Sequence, residues 1–150
     1  MSSTEYREDS FPHSVLTRVH LSDQVDGENI SYIDGFGRLI QSRTEDGSGQ
    51  YIVSNTRYDA LGREWKSSLP VFAAGSAFNW DQGSAIQSVT TYDALDRPLS
   101  VTDANGTTNY SYSLWTTTVT DALGNAKTTQ SDAHGRLIKV IERLGDDSFA

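Results

Sequence analysis

The chain has 150 residues, with 12 Lys and Arg against 20 Asp and Glu, for a formal net charge of −8. That balance argues against nucleic acid and anionic membrane as partners, since both are bound through clustered positive charge. Cysteine is absent, which excludes disulfides and thiolate metal sites, and no stretch approaches the roughly 20 apolar residues of a membrane helix. Hydrophobic residues make up 36%, and counting Gly in place of Tyr gives about 39%, below the ~45–50% of ordinary globular domains. A thin core and exposed sheets follow from that deficit, while 10% aromatics argue against disorder.

In chain order, residues 1–14 are polar and read as a frayed lead-in without the features of a secretory signal. Val15 to Leu21 alternates weakly and is a plausible first strand. Asp23 to Asn29, with Asp26-Gly27, reads as a turn, so residues 1–29 form the lead-in segment. Residues 30–69 alternate strand and turn: Arg38–Arg43, a Gly-rich turn at 45–49, the β-branched and aromatic run Gln50–Tyr58, then Arg63–Ser68. Residues 70–84 break the rhythm and read as an inserted loop, whose Phe72, Phe78 and Trp80 pack it down or offer a contact surface. From 85 to 145 the rhythm returns. Tyr110, Tyr112 and Leu114 share one face of a strand, and Trp115, Thr117 and Val119 follow after a bend near Ser113. The run Arg136–Glu142 is nearly all apolar at its centre, which predicts that both of its faces are covered. Residues 146–150 form a tail. Helical periodicity is lacking, so the fold class expected is all-β: consecutive antiparallel hairpins in a twisted, extended or spiralling sheet.

One phrase recurs: Asp at i, Gly usually at i+3, often Arg at i+4. Its copies begin at Asp34 (Gly37, Arg38), Asp59 (Gly62, Arg63), Asp93 (Arg97), Asp103 (Gly106), Asp121 (Gly124) and Asp132 (Gly135, Arg136). Repetition on this scale implies a β-array. An Asp carboxylate closes a turn by accepting backbone N–H groups ahead of it. Gly then supplies the positive φ that feeds a hairpin. Asp96 stands at the Gly position of the third copy, while Thr107 and Asn125 stand where Arg would follow. These copies are expected to be looser, or to be alternate halves of a two-strand unit. Tyr precedes Asp in Tyr58-Asp59 and Tyr92-Asp93, and Tyr32 lies two residues before Asp34. Aromatics at strand ends suit a stacked ladder.

Tyr58-Asp59-Ala60-Leu61-Gly62-Arg63 and Tyr92-Asp93-Ala94-Leu95-Asp96-Arg97 resemble the YD repeat of Rhs proteins. Tyr32 to Gln41 resembles the repeat region of toxin-complex B components, and the likeness extends over roughly residues 30–144. It implies a hairpin strip that spirals into a hollow shell. In bacterial toxin complexes and polymorphic toxins such a shell encloses a C-terminal toxin polypeptide. Many relatives cleave themselves near an Asp-Pro motif; this sequence has no Asp-Pro, and that activity is not carried over.

The residues hold no HExxH, GxSxG, Walker or Rossmann pattern. Asp103-Ala104-Asn105-Gly106 places its Gly too early for an EF-hand loop. The expectation is therefore a non-catalytic structural segment that takes no cofactor or metal. By resemblance its partners are the rest of a shell or its toxin payload, and its location is secreted or at a bacterial cell surface. Self-association through open sheet edges is expected. The alternative is a carbohydrate- or cell-surface-binding module, with Phe78, Trp80, Tyr110, Tyr112 and Trp115 as its contact surface.

Overall fold

The computed structural model describes residues 2–22, 25–83 and 86–145. Met1, residues 23–24, where a turn was expected, residues 84–85 and the expected tail 146–150 lie outside them. The chain is all-β, every described strand pairing is antiparallel, and the described residues contain no helix. It divides after Gln87 into two compact units.

The first unit contains β1 (Ser2–Arg7), β2 (His13–Ser22), β3 (Val25–Ile33), β4 (Leu39–Glu45), β5 (Gln50–Tyr58), β6 (Glu64–Ser68) and β7 (Val71–Ala74). The first six pair in sequence order, and β7 returns to pair with the opening half of β5. Register determines the core. Leu16 lies opposite Ile30, Ile30 opposite Arg43 and Arg43 opposite Val53. Tyr32 lies opposite Gln41, and Gln41 opposite Asn55. One face therefore carries Leu16, Ile30, Tyr32, Tyr51 and Val53 together with the polar Gln41, Arg43 and Asn55, all buried. Each fully buried aliphatic there contributes about 1.5–3 kcal/mol. Residues 75–83 lie over this face, with Phe78 tilted against Tyr32 (5.3 Å between ring centroids) and Trp80 edge-on to Phe78 (5.0 Å).

The second unit holds β8 (Gln87–Tyr92) from Ser88 on, β9 (Pro98–Asp103), β10 (Gly106–Ser113), β11 (Thr116–Thr120), β12 (Ala126–Ser131) and β13 (Leu137–Arg143), again paired in sequence order. Its described apolar side chains are half-buried or exposed rather than buried.

Four expectations are corrected. The polar lead-in forms β1, because Glu5 and Arg7 pair with each other and Ser2–Arg7 hydrogen-bonds along β2. The turn expected over 23–29 is shorter, since β3 begins at Val25. The loop expected over 70–84 opens with β7, whose residues find free backbone groups on β5. The apolar run of β13 is not covered: Leu137, Ile138 and Val140 are 61%, 59% and 45% exposed. Hydrogen bonding to β12 satisfies that strand on one side, and of its residues only Ile141 is half-buried.

Candidate functional site

The repeated phrase is one turn built five times. At Asp59, the backbone N–H donates to Arg63 O (2.8 Å), and the Gly62 N–H donates to Asp59 O (3.0 Å). The carboxylate Oδ1 accepts the N–H groups of Leu61 and Arg63, each at 2.9 Å. Oδ2 takes Arg63 through Nε and Nη2, both at 2.7 Å. The same bonds recur at Asp34, Asp93 and Asp132. At Asp121 the Asn125 amide replaces the guanidinium, donating to Oδ2 at 2.7 Å, so this copy is closed as tightly as the others. The residue at i+3 has positive φ throughout: Gly37, Gly62, Gly124, Gly135 and, at 62°, Asp96. Asp is among the few side chains that tolerate that region, which explains the departure from Gly.

Asp103 differs. Gly106 pairs directly with Asp103, leaving a two-residue loop, and the carboxylate accepts the Asn105 N–H. Asp46, on the other hand, closes a partial copy of the turn, its phrase hidden in a Gly-rich stretch. Its N–H donates to Gln50 O, its Oδ1 accepts the Ser48 N–H, and Gly49 has φ 85°. The Asp-x-x-Gly spacing was the signal for it.

The carboxylates of Asp34, Asp59, Asp93, Asp121 and Asp132 titrate low. At Asp34, Asp59 and Asp93, desolvation pushes the pKa up, but hydrogen bonds from the Arg side chain and backbone outweigh it. The Asn125 amide holds Asp121 down, and the Arg136 N–H holds Asp132 down. A folded pKa below the ordinary 3.8 means stability that is present at neutral pH and lost as pH falls through the depressed values. The melting temperature should therefore hold from pH 7 to about 5 and fall steeply below about pH 4. Asp59→Ala, which deletes four acceptor contacts, should lower Tm at pH 7 by roughly 5 °C and flatten part of the acid limb. A differential scanning fluorimetry series across pH checks both.

Each Arg-bearing turn feeds a β-bulge. The register slips by one between Tyr32 and Ile33, Arg57 and Tyr58, Thr91 and Tyr92, and Gln130 and Ser131. The extra residue is Ile40, Trp65, Leu99 or Ile138, always the second after Arg. The Asn125 copy pairs without a slip. The bulge re-aims the outgoing strand, and it lets consecutive Ile40 and Gln41 both be buried.

On β5 and on β10 a tyrosine clamps the turn two strands back, at the same end of the sheet. Arg38 lies 4.4 Å from the Tyr58 ring, whose hydroxyl donates to Leu39 O at 3.0 Å. Arg97 lies 4.2 Å from the Tyr112 ring, whose hydroxyl donates to Pro98 O at 2.9 Å. Turns also touch directly, since a Cβ on Gly62 would stand 3.1 Å from Arg38 Nη1.

Beneath residues 75–83 lies a buried polar network that sequence reading missed. Arg43 and Gln41 are both 0% exposed. Arg43 Nε donates to Gln41 Oε1 (2.8 Å), Nη1 to Gly75 O (2.7 Å) and Nη2 to Gln82 Oε1 (2.5 Å). Gln41 Nε2 donates to Asn55 Oδ1 and to Asn79 O (2.8 Å). Burial pushes the Arg43 pKa down, while the Tyr32 and Tyr51 hydroxyls favour its charge. The network ties the covering segment to the sheet, and the Tyr32 hydroxyl adds a bond to Ser76 O. At Gly83 a Cβ would overlap the Asn55 amide, so glycine allows the close approach.

Of the aromatic contact candidates, Phe78 and Trp80 pack on the core, and Arg57 lies 4.5 Å from the Trp80 ring. Tyr112 serves as a clamp and Tyr110 is half-buried on β10. Trp115 is 57% exposed at the hairpin tip Leu114-Trp115. Leu114 holds φ 49° there while 97% exposed. A leucine gains nothing at that position and costs about 1 kcal/mol of backbone strain. Leu114→Gly should raise stability by about 1 kcal/mol, read as a higher urea midpoint with unchanged m-value. Among the described residues, no group of three or more His, Asp or Glu is placed to hold a metal ion, and no helix is long and apolar enough to cross a membrane.

Stacked aspartate turns on antiparallel hairpins define a β-hairpin repeat protein. The chain belongs to the family described as a domain of unknown function, DUF6443, whose model matches residues 5–116. No curated protein matches the sequence. The fold is shared with the crystal structure of TcdB2-TccC3-TEV (TM-score 0.75) and with that of TcdB2-TccC3 without hypervariable C-terminal region (TM-score 0.76). Identity is 19% in both cases over 87% of this chain, and the chain spans 8% of the length of either structure's chain.

Proposed function

We propose that the chain is a non-catalytic structural segment of an Rhs/YD-type shell in a toxin complex, one that encapsulates or presents a toxin polypeptide. The observation that carries this reading is the five-fold construction of one turn, in which the carboxylate is consumed by closing the corner. Each Asp accepts backbone and side-chain donors at both oxygens, which leaves it committed to architecture. The fold shared with the TcdB2-TccC3 structures supports the same reading.

The partners are then the remainder of the shell and its payload, in a secreted or surface-exposed bacterial assembly. Among the described residues β1 pairs only with β2 and β13 only with β12, so each unit offers an open strand edge for further pairing. The purified 150-residue chain is expected to self-associate with concentration in light scattering. The decisive experiment images the complete polypeptide that carries this segment by electron microscopy and treats it with protease. A hollow particle with a protected C-terminal polypeptide is the expected result. An open array whose every part is digested at equal rates would overturn the proposal.

A further inference from the structure

The first unit contains a cleft of about 300 Å3 beside the covering segment, lined by Asn55, Arg57, Lys66, Ser68, Trp80 and Asp81 among others. Two of its cations are placed against one another. Arg57 and Lys66 are direct cross-strand partners on β5 and β6, which sets their Cβ atoms about 5 Å apart, and like charges so placed repel. The chain has 20 acidic side chains, yet among the described residues none forms an ion pair within 4.0 Å of either cation. Asp81 lines the same cleft outside that range.

The remaining contacts hold the cations in place without neutralising them. The Trp80 ring lies 4.5 Å from the Arg57 guanidinium, and the Trp65 ring 5.7 Å from Lys66 Nζ. A guanidinium held against an aromatic ring keeps its N–H edge available to an oxyanion. Ser68 Oγ accepts the Asn55 N–H at 2.9 Å, so its own hydroxyl proton remains for a ligand. The arrangement is a concave site with a fork donor, an ammonium and a hydroxyl on one side. We infer that this cleft binds a multiply charged oxyanion, a phosphate or a dicarboxylate, seated between Arg57 and Lys66. Its charge would relieve the cross-strand repulsion. The inference does not depend on the shell reading.

The test is a 1H–15N NMR titration of the 150-residue chain with sodium phosphate and, separately, sodium succinate, at ionic strength held constant with NaCl. The Trp80 indole N–H is assigned as the resonance lost in Trp80→Phe, and the titration follows it in the unsubstituted chain. Saturable movement of that resonance is expected. Arg57→Gln and Lys66→Gln should each weaken the apparent affinity by about tenfold, the value of one charge-assisted hydrogen bond. Lys127→Gln, in the second unit, should leave it unchanged. Tighter phosphate binding identifies a tetrahedral ligand, and tighter succinate binding identifies a dicarboxylate. A response no larger than that of NaCl alone, or one untouched by Arg57→Gln and Lys66→Gln, would overturn the inference.

Discussion

Arg43→Ala lowers the stability of the first unit by about 3–5 kcal/mol, the largest effect expected of a single polar substitution in this chain. Truncation removes the guanidinium donor from the buried Gln41 Oε1, which keeps only the long Asn79 N–H bond, and from Gly75 O and Gln82 Oε1 at the edge of the covering segment. It also opens a cavity where a fully buried side chain stood. Arg43→Met separates the two terms, because it fills most of the volume and donates nothing. It should recover about 1–2 kcal/mol of the loss. Urea unfolding followed by Trp80 fluorescence, with Trp65 and Trp115 replaced by Phe, reads the first unit. Hydrogen exchange should show residues 75–83 losing protection in both variants while β2 and β3 keep theirs. Equal stability of Arg43→Ala and the parent would mean that the covering segment is held by Phe78 and Trp80 alone.

Gly106→Ala is expected to cost the second unit about 2–4 kcal/mol. Gly106 has φ 119°, which side-chain-bearing residues rarely adopt, and an added Cβ would come within 2.6 Å of Ala122 Cβ. Backbone strain and collision act together here. Adding Ala122→Gly removes the collision and leaves the strain. The double variant should regain roughly 1 kcal/mol relative to Gly106→Ala, measured as a coupling energy in a double-mutant cycle. Full additivity would place the whole cost in the backbone. The contact also shows that the Asp103 and Asp121 turns lie side by side at one end of the second unit, with Asp93 and Asp132 at the other end of its strands.

That arrangement marks how far the sequence is legible. The Asp-x-x-Gly-Arg phrase is local chemistry: one carboxylate, the next four residues and a positive φ. Its turns therefore appear where the phrase does, at Asp34, Asp59, Asp93, Asp121 and Asp132. Asp96 and Asn125, read as departures, close their turns with the same bonds. Leu114, read as continuing an aromatic face, instead turns the chain between β10 and β11, because its positive φ is held by pairing on both sides. The bulge after each Arg left a trace in the apolar residue two positions on, but a pattern of period two has no place for an extra residue.

The sequence by itself determined the all-β class, the hairpin rhythm and the corner at each repeated aspartate, because those depend on interactions within a few residues. Tertiary structure alone decided that Gln41, Arg43 and Asn55 form a buried network and that residues 75–83 cover it. It likewise decided that Tyr58 and Tyr112 clamp the guanidinium of an earlier turn, and that Arg57 and Lys66 face each other across a cleft. Those outcomes depend on which strands become neighbours and in what register. A one-residue slip in register would exchange the two faces of a strand, and no run of residues along one strand records what lies opposite.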